Sequence, residues 1–325
     1  MKRKWMMLAA LSLLLVACGK GNQRSEGEKI DFILDWTPNT NHTGLYVAQE
    51  KGYFKEAGVD VDIKLPPEDS SSDLVINGKA PFAISFQDSM AKKLEKGAEM
   101  TAVAAIVEHN TSGIISKSSA GITNPKDLVE KTYGTWNDPI ELAMVETLVK
   151  DQGGDVEKVK KVPNTDSNSI TPIENGSFDA AWIYYGWDGI LAKSQGIETN
   201  FFYMTDYAKE LDYYSPVIIA NNTYLKEHKE EARGVIQAIK KGYQYAMEHP
   251  KEAADILIKH APALEKERAF VEESQAYLSQ HYAEKKETWG RFDAKRWNAF
   301  YDWAEKNGVL EKNLENTGFT NEFVE

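Results

Sequence analysis

The chain has 325 residues, 42% of them apolar, with 50 acidic side chains against 38 basic ones and a net charge of −12. A surface this acidic repels a phosphate backbone, which argues against nucleic acid as a partner. The length supports a buried core and usually divides into two domains, and the single cysteine leaves no disulfide to hold them.

The chain opens on the basic residues Lys2, Arg3 and Lys4, followed by an apolar run from Trp5 to Val16. That run is about a dozen residues, too short to stay in a bilayer as a spanning helix. Leu15-Val16-Ala17-Cys18-Gly19 then resembles the lipobox of bacterial lipoproteins. The resemblance implies a signal peptide over 1–17, cleavage before Cys18, lipid on its thiol, and a chain anchored on the extracytoplasmic face of the cell membrane. The competing reading is an ordinary signal peptide that ends near a cysteine. Loss of Lys2, Arg3 and Lys4 would take the net charge from −12 to −15. Residues 18–29 are polar, with Gly21 and Gly27, and read as a tether.

Beyond the tether, strands and helices alternate. Residues 30–34 predict a strand, 43–51 a helix stopped at Gly52, and 59–63 a strand with one exposed face. A helix over 71–77, a strand over 82–86, a helix over 88–96 and a strand over 100–107 follow. The middle repeats the pattern, with strands at 132–135, 159–162 and 180–184 and a strong helix over 139–150. A strand at 217–220 leads into a helical tail over 232–248, 253–259, 265–281 and 293–307. Strands joined by helices predict an α/β fold with parallel-rich sheets and right-handed crossovers. A second α/β unit followed by a helical return predicts two lobes joined by two crossings, near 113–118 and 215–220. Lobe 1 is then 30–114 with 219–325, and lobe 2 is 115–218. Ligands of open parallel sheets sit at the carboxyl ends of strands, so the cleft between lobes is the expected site.

Several side chains are candidates for that cleft. Trp36 follows the first strand and offers one wall of a slot for a flat ligand, or packs as core. Asn39 offers an amide to a ring edge, or caps the next helix. His42 stands in the same segment, either toward ligand or toward backbone. Gln87 has both a donor and an acceptor, while the neighbouring Asp88 reads as a helix cap. Glu108 is the preferred carboxylate of lobe 1, against a reading as surface charge. Across the cleft, Trp136 faces Trp36, and Glu141 either meets ligand or stabilises a helix start. The aromatic run 182–188 contributes one or two of Tyr184, Tyr185 and Trp187, with Asp188 as acceptor or cap. Rings, carboxylates and amides suit a flat ligand edged with hydrogen-bond donors and acceptors.

The tract from Trp36 to Gly44, followed by Gln49-Glu50-Lys51-Gly52-Tyr53-Phe54, resembles the thiamin-pyrimidine family. Residues 134–139 and 182–189 extend the likeness through most of the mature chain. That family joins bacterial binding proteins for thiamin pyrimidine precursors with fungal pyrimidine synthases. The resemblance implies a type II periplasmic-binding-protein fold, a monomer serving an ABC permease and its ATPase, and capture of formylaminopyrimidine for thiamin salvage. It implies no cofactor and no metal. The synthases carry a lysine and a histidine at the junction matching Ser85 to Ser89, plus a cysteine cluster. Here that junction reads Ser85-Phe86-Gln87-Asp88-Ser89, and Cys18 is the sole cysteine. A receptor for thiamin or another small solute remains the alternative. A sulfonate is disfavoured, since the proposed cleft segments contain no arginine.

Overall fold

The computed structural model describes residues 29–67, 70–166 and 168–325, so the expected signal peptide, Cys18 and the tether up to residue 28 lie outside it. Strands β1 (Ile30–Ile33), β2 (Val61–Lys64), β3 (Phe82–Ser85) and β4 (Met100–Ala105) come first. A second set follows: β5 (Ser112–Lys117), β6 (Thr132–Thr135), β7 (Lys160–Pro163), β8 (Ala180–Tyr184) and β9 (Thr199–Tyr203). β10 (Val217–Asn221) returns to the first set. The two sheets have the orders β2-β1-β3-β10-β4 and β7-β6-β8-β5-β9. β1 pairs in parallel with β2 and β3, as β6 does with β7 and β8. Only β10 and β5 run against their neighbours. This is the expected α/β architecture with parallel-rich sheets.

The central strands read as continuous apolar runs because helices cover both sheet faces. Phe32 of β1 and Phe82 of β3 are fully buried and stack with centroids 6.0 Å apart. The helical tail supplies most of the cover for the first sheet. Its helix Lys229–Glu248 buries Val235, Ile236, Ile239 and Tyr243 at helical spacing and crosses the helix Thr43–Glu50 very closely. A Cβ on Gly242 would stand 2.0 Å from the Gly44 carbonyl oxygen, so only glycine permits this crossing. Among the described residues, no helix is long and apolar enough to cross a membrane.

The expected elements mostly shift by a residue or two at their ends, but two strands escaped the sequence reading. Residues 113–118, expected to carry a crossing, belong largely to β5. Gly113 reads as a breaker, yet here it lets β9 lie alongside, since a Cβ at this position would meet the Phe202 carbonyl oxygen at 2.1 Å. β9, with Phe201 and Phe202, lies where the sequence pattern predicts no element. The chain therefore passes between the sheets over 106–111 and again over 204–216. The boundaries expected at 114/115 and 218/219 fall inside β5 and β10.

Candidate ligand-binding site

The carboxyl ends of β1, β3, β6 and β8 converge on a cavity of about 290 Å³ between the two sheets. Asp35, Trp36, Asn39 and Asn41 reach it from the segment after β1, and Phe86 from the end of β3. Trp136, Asn168, Tyr184, Trp187 and Asp188 face them from the second sheet and its connections, with Pro216 at the return crossing. Trp36 and Trp136 are among the few large apolar side chains left exposed, at 54% and 46%. Exposed indoles at strand ends beside a cavity offer surface for a flat ligand to cover.

The first wall is held rigidly. Asn39 caps the short helix Thr40–His42: its Oδ1 accepts from the Asn41 N–H at 2.9 Å, and its amide donates to the Thr37 carbonyl. The Thr40 hydroxyl pairs with Ser274, the Thr43 hydroxyl donates to Gln275, and Tyr243 and Tyr282 donate to the Asn41 and Thr40 carbonyls. The helical tail thus fixes the loop through four side chains. Among the described residues the Asn41 side-chain amide has no hydrogen-bond partner, leaving donor and acceptor for a ligand edge.

His42 does not line the cavity. It is fully buried; its Nδ1 accepts the Asn39 N–H at 3.2 Å, and its Nε2 lies 2.7 Å from Asp35 Oδ1. The ring hydrogen therefore sits on Nε2 and donates to Asp35, leaving Asp35 Oδ2 for the cavity. His42 acts through Asp35, which stands two residues beyond β1 and carries no motif that marks it in the sequence.

Gln87 is also absent from the wall. Its amide donates to the Trp297 carbonyl at 2.8 Å and accepts from the Tyr214 N–H at 3.0 Å, in the interior. Both ends serve the backbone of distant segments, so it joins lobe 1 to the return crossing. Gln87→Ala should cost about 2 kcal/mol of stability by orphaning both groups, measured as a shifted urea midpoint, with ligand affinity changed by less than the stability loss. Glu108 lies elsewhere too, in a polar surface depression with Arg291 and Arg296, its carboxylate accepting from the Glu284 N–H.

Glu141 sits behind the second wall. Buried, it accepts from the Tyr133 and Thr135 hydroxyls and from the Trp136 N–H at 3.0 Å. Burial raises its carboxyl above the usual range, against the pull of those donors. Asp138 provides the helix cap instead, accepting from the N–H groups of Ile140 and Glu141. Glu141 thereby holds the turn that projects Trp136.

The aromatic run divides at Tyr184. A π-turn over Tyr185–Gly189 replaces strand alternation. Tyr184 stacks near Phe86 at 6.3 Å and pairs its hydroxyl with Ser215. Tyr185 points away, packing on Phe201 at 4.9 Å and Tyr277 at 5.2 Å. Trp187 meets Phe270 edge-on at 4.6 Å while keeping surface on the cavity. Asp188 lines the cavity half-buried, and burial pushes its carboxyl up to about 6. Of the residues the sequence proposed, the structure brings together Trp36, Asn39, Trp136, Tyr184, Trp187 and Asp188. It leaves His42, Gln87, Glu108, Glu141 and Tyr185 outside the wall, and adds Asp35, Asn41, Phe86, Asn168 and Pro216. Asn168 was hidden in a polar loop with no regular pattern.

The model of the NMT1/THI5 like family matches residues 39–253. The formylaminopyrimidine-binding protein of Halalkalibacterium halodurans is 29% identical over 312 residues, covering 93% of each chain. The 4-amino-5-hydroxymethyl-2-methylpyrimidine phosphate synthase THI13 of Saccharomyces cerevisiae is 25% identical, covering 86% of this chain and 82% of its own. Among solved structures, the periplasmic aliphatic sulphonate binding protein SsuA of Escherichia coli superposes with a TM-score of 0.69 at 11% identity, covering 89% of this chain and 90% of the other. At that identity the likeness shows the periplasmic-binding-protein fold alone.

Proposed function

This chain belongs to the NMT1/THI5-like family, and from that premise we propose that it is the substrate-binding protein of an ABC importer, capturing N-formyl-4-amino-5-aminomethyl-2-methylpyrimidine without altering it. The observation that carries the proposal is a cavity walled from both sheets by aromatic rings, two carboxylates and an unpaired amide. Stacking contributes about 0.5–1.5 kcal/mol per aromatic pair beyond area burial. An unpaired ring edge costs about 1–3 kcal/mol, which gives selectivity. Among the described residues no lysine, arginine or histidine lines the wall, which disfavours a sulfonate despite the shared fold.

Receptor function is favoured over synthase chemistry. Positions 85–89 hold neither lysine nor histidine, and Gln87 is spent on backbone groups. We assign lobe 1 to 30 through about 110 and about 217 through 325, with lobe 2 between. A ligand touching both walls stabilises the closed arrangement, and only that differential affinity shifts the population toward the form a permease would engage. The lipobox-like tract at Cys18 supports a lipid-anchored position on the extracytoplasmic face of the membrane. Cys18→Ala should move the protein from the detergent-extracted membrane fraction to the soluble fraction.

Calorimetric titration of the soluble chain with formylaminopyrimidine, thiamin and an alkanesulfonate tests the ligand. Saturable binding of formylaminopyrimidine, in preference to the other two, is expected. Tighter binding of thiamin would reassign the ligand. Trp136→Ala should weaken binding about tenfold by removing one ring wall, whereas Glu108→Ala should leave it unchanged.

A further inference from the structure

The wall combines aromatic faces with two carboxylates, and among the described residues no base lines it; His42 stands behind Asp35, outside the wall. Asp35 is oriented by His42, as described, and its side chain is only 12% exposed. Asp188, across the cavity, has no hydrogen-bond partner among the described residues. The bases on the elements packed around it are engaged elsewhere. Lys193 pairs with Glu273, and Arg268 with Glu265 and Asp255. Burial alone accounts for the upward shift of Asp188. Asp88, buried in the first turn of the helix Gln87–Glu95, is also pushed up to about 6, by burial first and also by Asp138. The Tyr184 hydroxyl is raised above its ordinary value, by burial first and then by the fields of Asp88 and, more weakly, Asp35. Asp88 and Asp35 thus make the field at the Tyr184 hydroxyl negative.

We propose that this pocket binds its aminopyrimidine as the ring-protonated cation, with Asp35 as the oriented counter-charge and Asp188 as the second. The inference rests on the ligand class proposed above. Protonation of the ring nitrogen beside the exocyclic amine turns that edge into an amidinium with two N–H donors, which a carboxylate accepts as charge-assisted bonds. The proton comes from solvent and goes to the ring nitrogen; no other bond changes. A neutral ring would bury Asp188 unpaired, and Asp35 with only the His42 N–H to offset its charge, as the cleft closes. A cation is compensated by them and is also attracted to the faces of Trp36, Trp136 and Trp187.

The test is calorimetric titration of the wild-type chain with formylaminopyrimidine at about pH 8, where both the free ring and the carboxyls are deprotonated, in two buffers of different ionisation enthalpy. Uptake approaching one proton per bound ligand is expected, with affinity falling about tenfold for each unit that pH rises above the ring's own pKa. The ultraviolet difference spectrum of the bound ligand should match the protonated ring. Asp35→Asn should abolish the uptake in whatever binding remains; the wild-type spectrum decides the matter if that variant does not fold. Equal heats in the two buffers, pH-independent affinity and a neutral-ring spectrum would overturn the inference while leaving the ligand assignment intact. Absence of binding at every pH would remove both.

Discussion

Asp35→Asn is expected to weaken aminopyrimidine capture by roughly tenfold to a hundredfold, as hydrogen bonds to charged groups contribute about 1.5–3 kcal/mol. The effect should be large because the carboxylate is pre-oriented. His42 holds Oδ1 at 2.7 Å and is itself fixed by the Asn39 backbone N–H, so little rotamer entropy is lost when ligand arrives. Asparagine keeps the shape but replaces one acceptor oxygen with a donor. That donor faces either the His42 Nε2–H or the amine of the ligand, and both contacts are repulsive. His42→Ala should produce a smaller loss of affinity, since Asp35 remains but turns freely. Titration calorimetry on the three proteins checks the order wild type, His42→Ala, Asp35→Asn. Equal affinity across the series would remove Asp35 from the site.

Gly242→Val is expected to destabilise the chain by about 3 kcal/mol or more, at the upper end of overpacking costs. The added Cβ would lie 2.0 Å from the Gly44 carbonyl oxygen and 3.1 Å from the Ala48 nitrogen, both backbone atoms that cannot rotate aside. The two helices must separate, and Gly44 is itself pressed against the Tyr243 ring, 2.3 Å from where its own Cβ would be. Tyr243 anchors the Asn41 carbonyl, so the same separation loosens the first wall. A lowered urea midpoint accompanied by weaker ligand binding is the expected pair of changes. A variant with wild-type stability would show that the crossing is far more compliant than its geometry allows.

The parts of the site legible from sequence are those whose role is set locally. Trp36 and Trp136 each follow a short strand and precede a helix, so strand order and the position of ligands at strand ends were enough to place them. Asn39 was readable as a cap, and Asp138 could have been, from the proline and glutamate that follow it. Gln87 was not readable, because its partners lie 127 and 210 residues away in sequence. Glu141 looked like a helix-start charge, but Tyr133 and Thr135 of β6 point their hydroxyls at it and draw it inward. Which two of Tyr184, Tyr185 and Trp187 reach the cavity was not readable, because a π-turn shifts the phase of the chain after Tyr184, and periodicity carries no sign of that. β5 and β9 were missed for a related reason: their pairing is antiparallel at the sheet edge and depends on Gly113 admitting the backbone of β9.

The proposed binding mode is one ring gripped from both sheets at once. A crystal structure of the chain with formylaminopyrimidine tests this most directly. The ring should lie against Trp36, with Asp35 at its amine edge, while Trp136, Tyr184, Trp187 or Asp188 touches it from the opposite lobe. Density for the ligand on one lobe only, or in any hollow other than the one bounded by Asp35 and Asp188, would contradict it.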